Sequence, residues 1–296
     1  MKNIFFAIPV ALAFFLVVVA ARFKNNNTAI AGRPAETDAI GCGVSVAYEL
    51  AVAADGKFIP LLPGLGNYVY KVTAANDSAQ IYFNQGLNFY YSYHFREARA
   101  SFKEATRFDK NCAMAWWGQA LSMGPYFNTY AYKMDKDVLP VLQSMTACTE
   151  TTTKEKELLR AMEQRYSADI TNKDRPLLDS GYAAAMRKLT LRYPGDNAIK
   201  AWYIDAVMLQ HKWDFWYPDG KPKSWTPELL AKCKEILQTE PDHPAALHYY
   251  IHLIEASRQP SLAMDNAERL LRTMPGAGHM VHMATHMYQR NGYYAK

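Results

Sequence analysis

Six of the eight histidines lie between His243 and His286, at spacings that place them on shared helix faces. His248 and His252 are four apart with Glu255 three further on, and His279, His282 and His286 are spaced three and four, so each set projects from one side of a helix. His248 to His282 and His252 to His286 are each 34 positions apart. Three kinds of chemistry fit such a grid. Neutral imidazoles with a carboxylate from Glu255 or Asp205 make a site for a transition metal (Zn, Cu, Ni or Fe), in which a His-x-x-x-His pair supplies two ligands from one helix. Alternatively the histidines, with Tyr249, Tyr250, Met280 and Met283, line an aromatic, hydrogen-bonding groove for a peptide or another ligand. In the third reading they cap helices and satisfy backbone groups inside a core. Neighbouring helix axes lie about 8–10 Å apart, so not all of His248, His252, His279, His282 and His286 can reach one ion, and three or four is the realistic number.

The elements that must hold these residues repeat. From Ala79 the pattern is helical, and Tyr82, Gly86, Phe89, Ala98, Phe102 and Ala105 have the offsets of a tetratricopeptide repeat, in which small residues let two antiparallel helices pack closely. The next unit begins at Ala113 and puts Trp116 and Ala120 at the matching sites. Pro194, Pro241 and Pro275 each follow a helix; the last two are 34 apart, and the longer first interval fits an insertion around Trp213–Ser224 that reads as a loop. Residues 125–176 read as a degenerate helical pair. Asp205, counted from Pro194, occupies the place in its unit that His252 and His286 occupy in theirs. Phe83, Leu87, Tyr90, Tyr91, Trp117 and Leu121 read as core rather than a binding stripe, His94 as a structural turn residue, His211 as a helix-end cation, and Lys154-Glu155-Lys156-Glu157 as a solvated helix face.

Ahead of the repeats, Lys2 precedes an unbroken apolar run from Ile4 to Ala21, closed by Arg22 and Lys24. This is an export signal or a signal anchor, with small-x-small cleavage sites at Val19-Ala20-Ala21 and Ala29-Ile30-Ala31. The expected organisation is therefore a signal or anchor over 1–24, an irregular linker and N-terminal cap over 25–77, and a helical array over 78–296. The formal charge of +5 is spread along the chain and argues against a nucleic-acid binder. Cys42, Cys112, Cys148 and Cys233 form no C-x-x-C pair, which excludes a zinc ribbon and a thioredoxin-type site and leaves room for one or two disulfides. No zincin motif, nucleophile elbow or phosphate loop occurs.

The chain resembles exported bacterial tetratricopeptide-repeat proteins. The likeness rests on Gly64-Leu65-Gly66-Asn67-Tyr68 leading into Tyr82-Phe83-Asn84-Gln85-Gly86-Leu87, on Cys112-Ala113-Met114-Ala115-Trp116-Trp117-Gly118, and on His248-Tyr249-Tyr250-Ile251-His252 with Gly276-Ala277-Gly278-His279-Met280-Val281-His282-Met283. It departs from that pattern at Ala115, where relatives often carry a second cysteine, and at Ala284, where they often carry proline. The resemblance implies an all-α fold, a solenoid of helical hairpins forming a right-handed superhelix whose first helices line a concave surface. It sets Asp205, His252 and His286 in one row of that surface beside His248 and His282. It implies a location in the cell envelope, periplasmic or held at the membrane by an uncleaved N-terminal segment. The sequence favours a scaffold that binds a protein or peptide partner in the concave groove over an enzyme. A metal-binding protein or metal-dependent enzyme built on the histidine grid is the alternative. The last unit stops after its first helix, so a longer natural array is expected.

Overall fold

The computed structural model of the protein describes residues 52–129 and 131–295. The signal or anchor at 1–24, its cleavage sites, most of the linker and Cys42 lie outside these residues. The described residues form eleven α-helices and a short 3-10 turn with no strand, an all-α fold as expected. The helices are α1 (Asp77–Tyr91), α2 (Phe95–Phe108), α3 (Ala113–Leu121), α4 (Val138–Ala147), α5 (Thr153–Glu163), α6 (Arg175–Arg192), α7 (Asn197–Gln210), α8 (Thr226–Thr239), α9 (Pro244–Ile254), α10 (Met264–Thr273) and α11 (Gly278–Arg290). Consecutive helices pack on one another, and alternate ones meet as well: α1 with α3, α3 with α5, α7 with α9, and α9 with α11. That pattern is compatible with a helical solenoid. One contact goes beyond it, because α1 also packs against α9. In an open array each repeat touches only its neighbours.

Local chemistry accounts for the helix starts. Asn76 accepts a hydrogen bond from the Ala79 amide at 3.0 Å to cap α1. Thr152 and Glu155 form a reciprocal capping box on α5, and the Asp174 and Asp196 side chains cap α6 and α7. The close approach of α1, α2 and α3 depends on two glycines. Phe102 of α2, without exposed surface, lies between Gly86 and Gly118. A Cβ on Gly86 would stand 2.6 Å from its ring, and one on Gly118 closer still. The sequence expectation had Ala120 matching Gly86, but Gly118 is the residue against the ring.

Residues 52–76 form an irregular strap laid along α1. Its backbone is bound by side chains of α1, which removes the need for a strand partner. Gln80 accepts from the Val72 amide at 3.0 Å and donates to the Tyr70 carbonyl at 2.9 Å. Gln85 accepts from the Leu62 amide at 2.8 Å and donates to the Pro60 carbonyl at 3.0 Å. Asn84 accepts from Tyr70 and Asn88 donates to Tyr68. Glu155, expected on a solvated face, is instead buried and accepts from the amide and hydroxyl of Thr73, each at 2.7 Å. At Gly64, φ is +78°, and its carbonyl accepts from the Gly276 amide at 2.7 Å. A Cβ on Gly276 would meet the Pro63 carbonyl at 2.7 Å, so only glycine lets the strap touch the turn that starts α11.

Phe83, Leu87, Tyr90, Tyr91, Trp117 and Leu121 are all core. Cys112, Cys148 and Cys233 are free thiols. No helix among the described residues is long and apolar enough to cross a membrane.

The Phe102 wedge generates a prediction. Alanine is the better helix former by about 1 kcal/mol, yet Gly86→Ala and Gly118→Ala should each destabilise the protein by about 1–3 kcal/mol through overpacking. Placing either in a Phe102→Leu background should shrink the loss, as read by urea denaturation. Equal losses in both backgrounds would show that the ring is not the obstacle.

Candidate metal centre

Helix α9 carries the centre, and nothing on it is exposed: every residue from Pro244 to Ile254 is buried. A helix apolar around its whole circumference belongs inside the protein. Pro244 starts it where a missing N–H costs nothing, and His243 caps it, its Nδ1 accepting from the Ala246 amide at 3.4 Å. On α11, Met280, Met283, Ala284 and Met287 form the core face. His279, His282 and His286 occupy the adjoining face, against α9.

His248 and His252, one turn apart and both without exposed surface, approach with their Nε2 atoms 3.0 Å apart. His279 Nε2 stands 3.1 Å from His248 Nε2. One ligand atom from each of the three lies within 4.8 Å of those of the others, a His triad that could bind a metal ion. A tetrahedral ion with bonds of about 2.0–2.1 Å holds its nitrogens about 3.3–3.4 Å apart, close to the two short separations.

The opposite ring nitrogens decide what those Nε2 atoms are. His248 Nδ1 is 2.7 Å from the Tyr91 carbonyl, an acceptor only, so this nitrogen carries a proton and donates it. His252 Nδ1 lies 2.9 Å from Glu255 Oε1 and donates likewise. If both rings are neutral, each Nε2 is a bare lone pair, and two lone pairs face each other at 3.0 Å. A positive centre between them, a proton or a metal ion, removes that repulsion. Glu255 holds a second ring in the same way, its Oε2 accepting from His286 Nδ1 at 2.7 Å. His286 Nε2 in turn lies 2.9 Å from His282 Nε2. Carboxylate and carbonyl acceptors behind the ligating imidazoles are the usual outer shell of a histidine metal site.

Burial sets the electrostatics. It pushes His279 down to about 2 and His248 well below its ordinary value, aided by the neighbouring histidines, so both rings are neutral and able to ligate. For Glu255, burial acts to raise the carboxyl, but the hydrogen bonds from His252 and His286 outweigh it and hold it down at about 2. His282 is exposed and lowered more mildly, by burial and by His286.

Aromatic rings wall the triad. Tyr93 stands 4.4 Å from the His248 ring, 5.1 Å from His279 and 5.8 Å from His252, centroid to centroid. Phe127 and Trp213 flank His252 at 5.3 and 5.2 Å. Tyr93 and Trp213 are the two described non-glycine residues with positive φ, +58° and +59°. Both strained positions therefore pack against His252, and such strain gathers at functional sites. The buried Tyr93 hydroxyl finds no hydrogen-bond partner.

The structure thus unites His248, His252 and His279, and joins His282, His286 and Glu255 to them through Glu255. It corrects three expectations. Asp205 is not among the grouped ligand atoms; it accepts from the Tyr90 hydroxyl at 2.7 Å in the core, near the buried Arg165 cation. Tyr249 and Tyr250 are 0% and 5% exposed and cannot line an open groove, because α9 is covered on all sides. Met280 and Met283 belong to the core face of α11.

Sequence reasoning missed Tyr93, Phe127 and Trp213. The Trp213–Ser224 insertion is an ordered loop, with Trp216 donating to the Leu253 carbonyl at the end of α9 at 2.7 Å. His94 forms the turn after α1, its Nδ1 2.8 Å from the Ser92 carbonyl. His211 stacks on Trp225 with ring centroids 3.6 Å apart.

Compared with protein-family models and with curated protein sequences, the chain matches none.

The cap of α9 yields a pH prediction. Burial pushes His243 down to about 3. The unfolded chain takes up its proton near pH 6.5 while the folded chain does not, so the stability it supports is complete above about pH 6.5 and is lost as pH falls towards 3. Between pH 7.5 and 5 this amounts to about 2 kcal/mol. His243→Asn retains a capping side chain without the titration, so its stability should fall by that much less over the same range. Parallel denaturation curves for the two proteins would dismiss the assignment.

Proposed function

We propose that this chain is a metal-binding protein whose centre is His248, His252 and His279, carried on a tetratricopeptide-like helical array that works in the cell envelope. One observation carries the metal reading: with both Nδ1 atoms committed as donors, to the Tyr91 carbonyl and to Glu255, the Nε2 atoms of His248 and His252 meet at 3.0 Å beside a third imidazole. That contact calls for a positive centre between the rings, and a metal ion is the one that also uses the third imidazole. Neutral nitrogen ligands suit Zn, Cu, Ni or Fe. Three of them leave a tetrahedral ion one further position, which is what chemistry at the metal would require. Glu255, committed to two imidazoles, orients ligands and is not placed to act as a base. The repeat reading is supported by the 34-residue period and the contacts between alternate helices, and the envelope reading by the apolar run from Ile4 to Ala21. Partner binding through Tyr249 and Tyr250 finds no support, since both are buried.

Elemental analysis of the full chain after desalting tests the proposal. Wild-type protein loaded with Zn²⁺ should retain about one tightly held equivalent, and His252→Ala should lose it while keeping its helical circular dichroism. Glu255→Gln should weaken binding by about 10–100-fold. Retention of less than about a tenth of an equivalent by the wild type, against the near-stoichiometric binding expected of a structural site, would remove the metal reading.

A further inference from the structure

We infer that His282 and His286 form a second, solvent-facing metal position, linked to the buried triad through Glu255. The rings sit one turn apart on α11 with Nε2 atoms 2.9 Å apart, the geometry of a two-nitrogen chelate. His286 donates its Nδ1 proton to Glu255 Oε2 at 2.7 Å, an outer-shell bond that holds the ring with Nε2 directed at His282. This pair is distinct from the triad. The His282 ring centroid is 6.0 Å from that of His279, and His286 is 6.4 Å from His252. Ring centroids alone do not divide the two, since His252 and His279 within the triad are 6.2 Å apart; ligand atoms do, because those of His248, His252 and His279 all lie within 4.8 Å of one another and neither His282 nor His286 belongs to that group.

The two positions differ in ways that set their roles. The triad offers three nitrogens, with His248 and His252 wholly buried, whereas His282 is exposed and the His286 side chain is 24% exposed. Two nitrogens with water completing the shell bind more weakly and exchange faster than three in a dry site. Glu255 ties them together, because each ring that donates to it becomes a stronger donor when its far nitrogen holds a cation. The shared carboxylate offsets the repulsion between two nearby ions only in part, so the triad should fill first and the outer pair second. The link through Glu255 rests on the metal reading of the triad; the chelate itself does not.

Titration of metal-free full-length protein with Zn²⁺ against a chelating indicator separates the possibilities. The wild type should show two equivalents in two classes. His282→Ala/His286→Ala should abolish the weaker class while the tight equivalent is still bound, weakened less than by Glu255→Gln. His279→Ala should weaken the tight class at least tenfold and leave the outer pair binding. Glu255→Gln should weaken both, each by about 10–100-fold. A wild type that binds one equivalent, unchanged when His282 and His286 are both replaced, overturns the second position while sustaining the triad. Loss of a single shared equivalent in both variants also overturns it, in favour of one mixed site. Weak binding at the outer pair with no tight class at all would overturn the triad and the link while leaving the chelate.

Discussion

The hydrogen bond from His248 Nδ1 to the Tyr91 carbonyl joins residues 157 positions apart, and the rest of the centre depends on it. Helix α1 ends at Tyr91 with carbonyls that have no partner in the helix, and the buried imidazole supplies a donor to one of them. That bond does three things at once. It satisfies a backbone group where water cannot reach, it brings α1 against α9, and it fixes the tautomer that turns His248 Nε2 towards His252. Remove the Tyr91 carbonyl from that position and His248 could present a proton to its neighbour, making the contact an ordinary core hydrogen bond.

How far the sequence discloses this centre varies by residue. The i, i+4 relation of His248 to His252 and of His282 to His286 is visible, because helical periodicity alone puts those side chains one above the other. Which ring of α11 completes the triad is not visible, since it depends on how far α11 is advanced along α9, and the first turn of α11 turns out to be the one opposite His248. Asp205 fails as a member of the wall for a reason that pattern does not carry: Tyr90 and the buried Arg165 draw its carboxylate into the core. The burial of Tyr249 and Tyr250 leaves only a faint sign in the sequence, the lack of any Asp, Glu, Lys or Arg over Pro244–Ile254. Tyr93 and Trp213 could not be found from sequence, for a positive φ at an aromatic residue leaves no signal when glycine is absent.

The contacts between consecutive and alternate helices do not by themselves decide how the inner surface of the fold is filled. Small residues at fixed intervals let helices approach, and the Phe102 ring between Gly86 and Gly118 shows how little room remains. The contact between α1 and α9 follows from where the period-matched His248 finds its partner, the Tyr91 carbonyl, and from the turn at Tyr93. An array expected to present an open groove is thereby filled in that region with buried imidazoles and phenols.

The strap over residues 52–76 has an evolutionary corollary. Its path is dictated by Gln80, Asn84, Gln85 and Asn88, which bind its backbone, while Leu61, Leu62 and Val69 point largely into solvent. Substitution at those exposed positions leaves the bonds in place, whereas Ile59, Leu65 and Val72 are buried and Gly64 stands against Gly276, so tolerance to change alternates along the strap instead of extending over all of it.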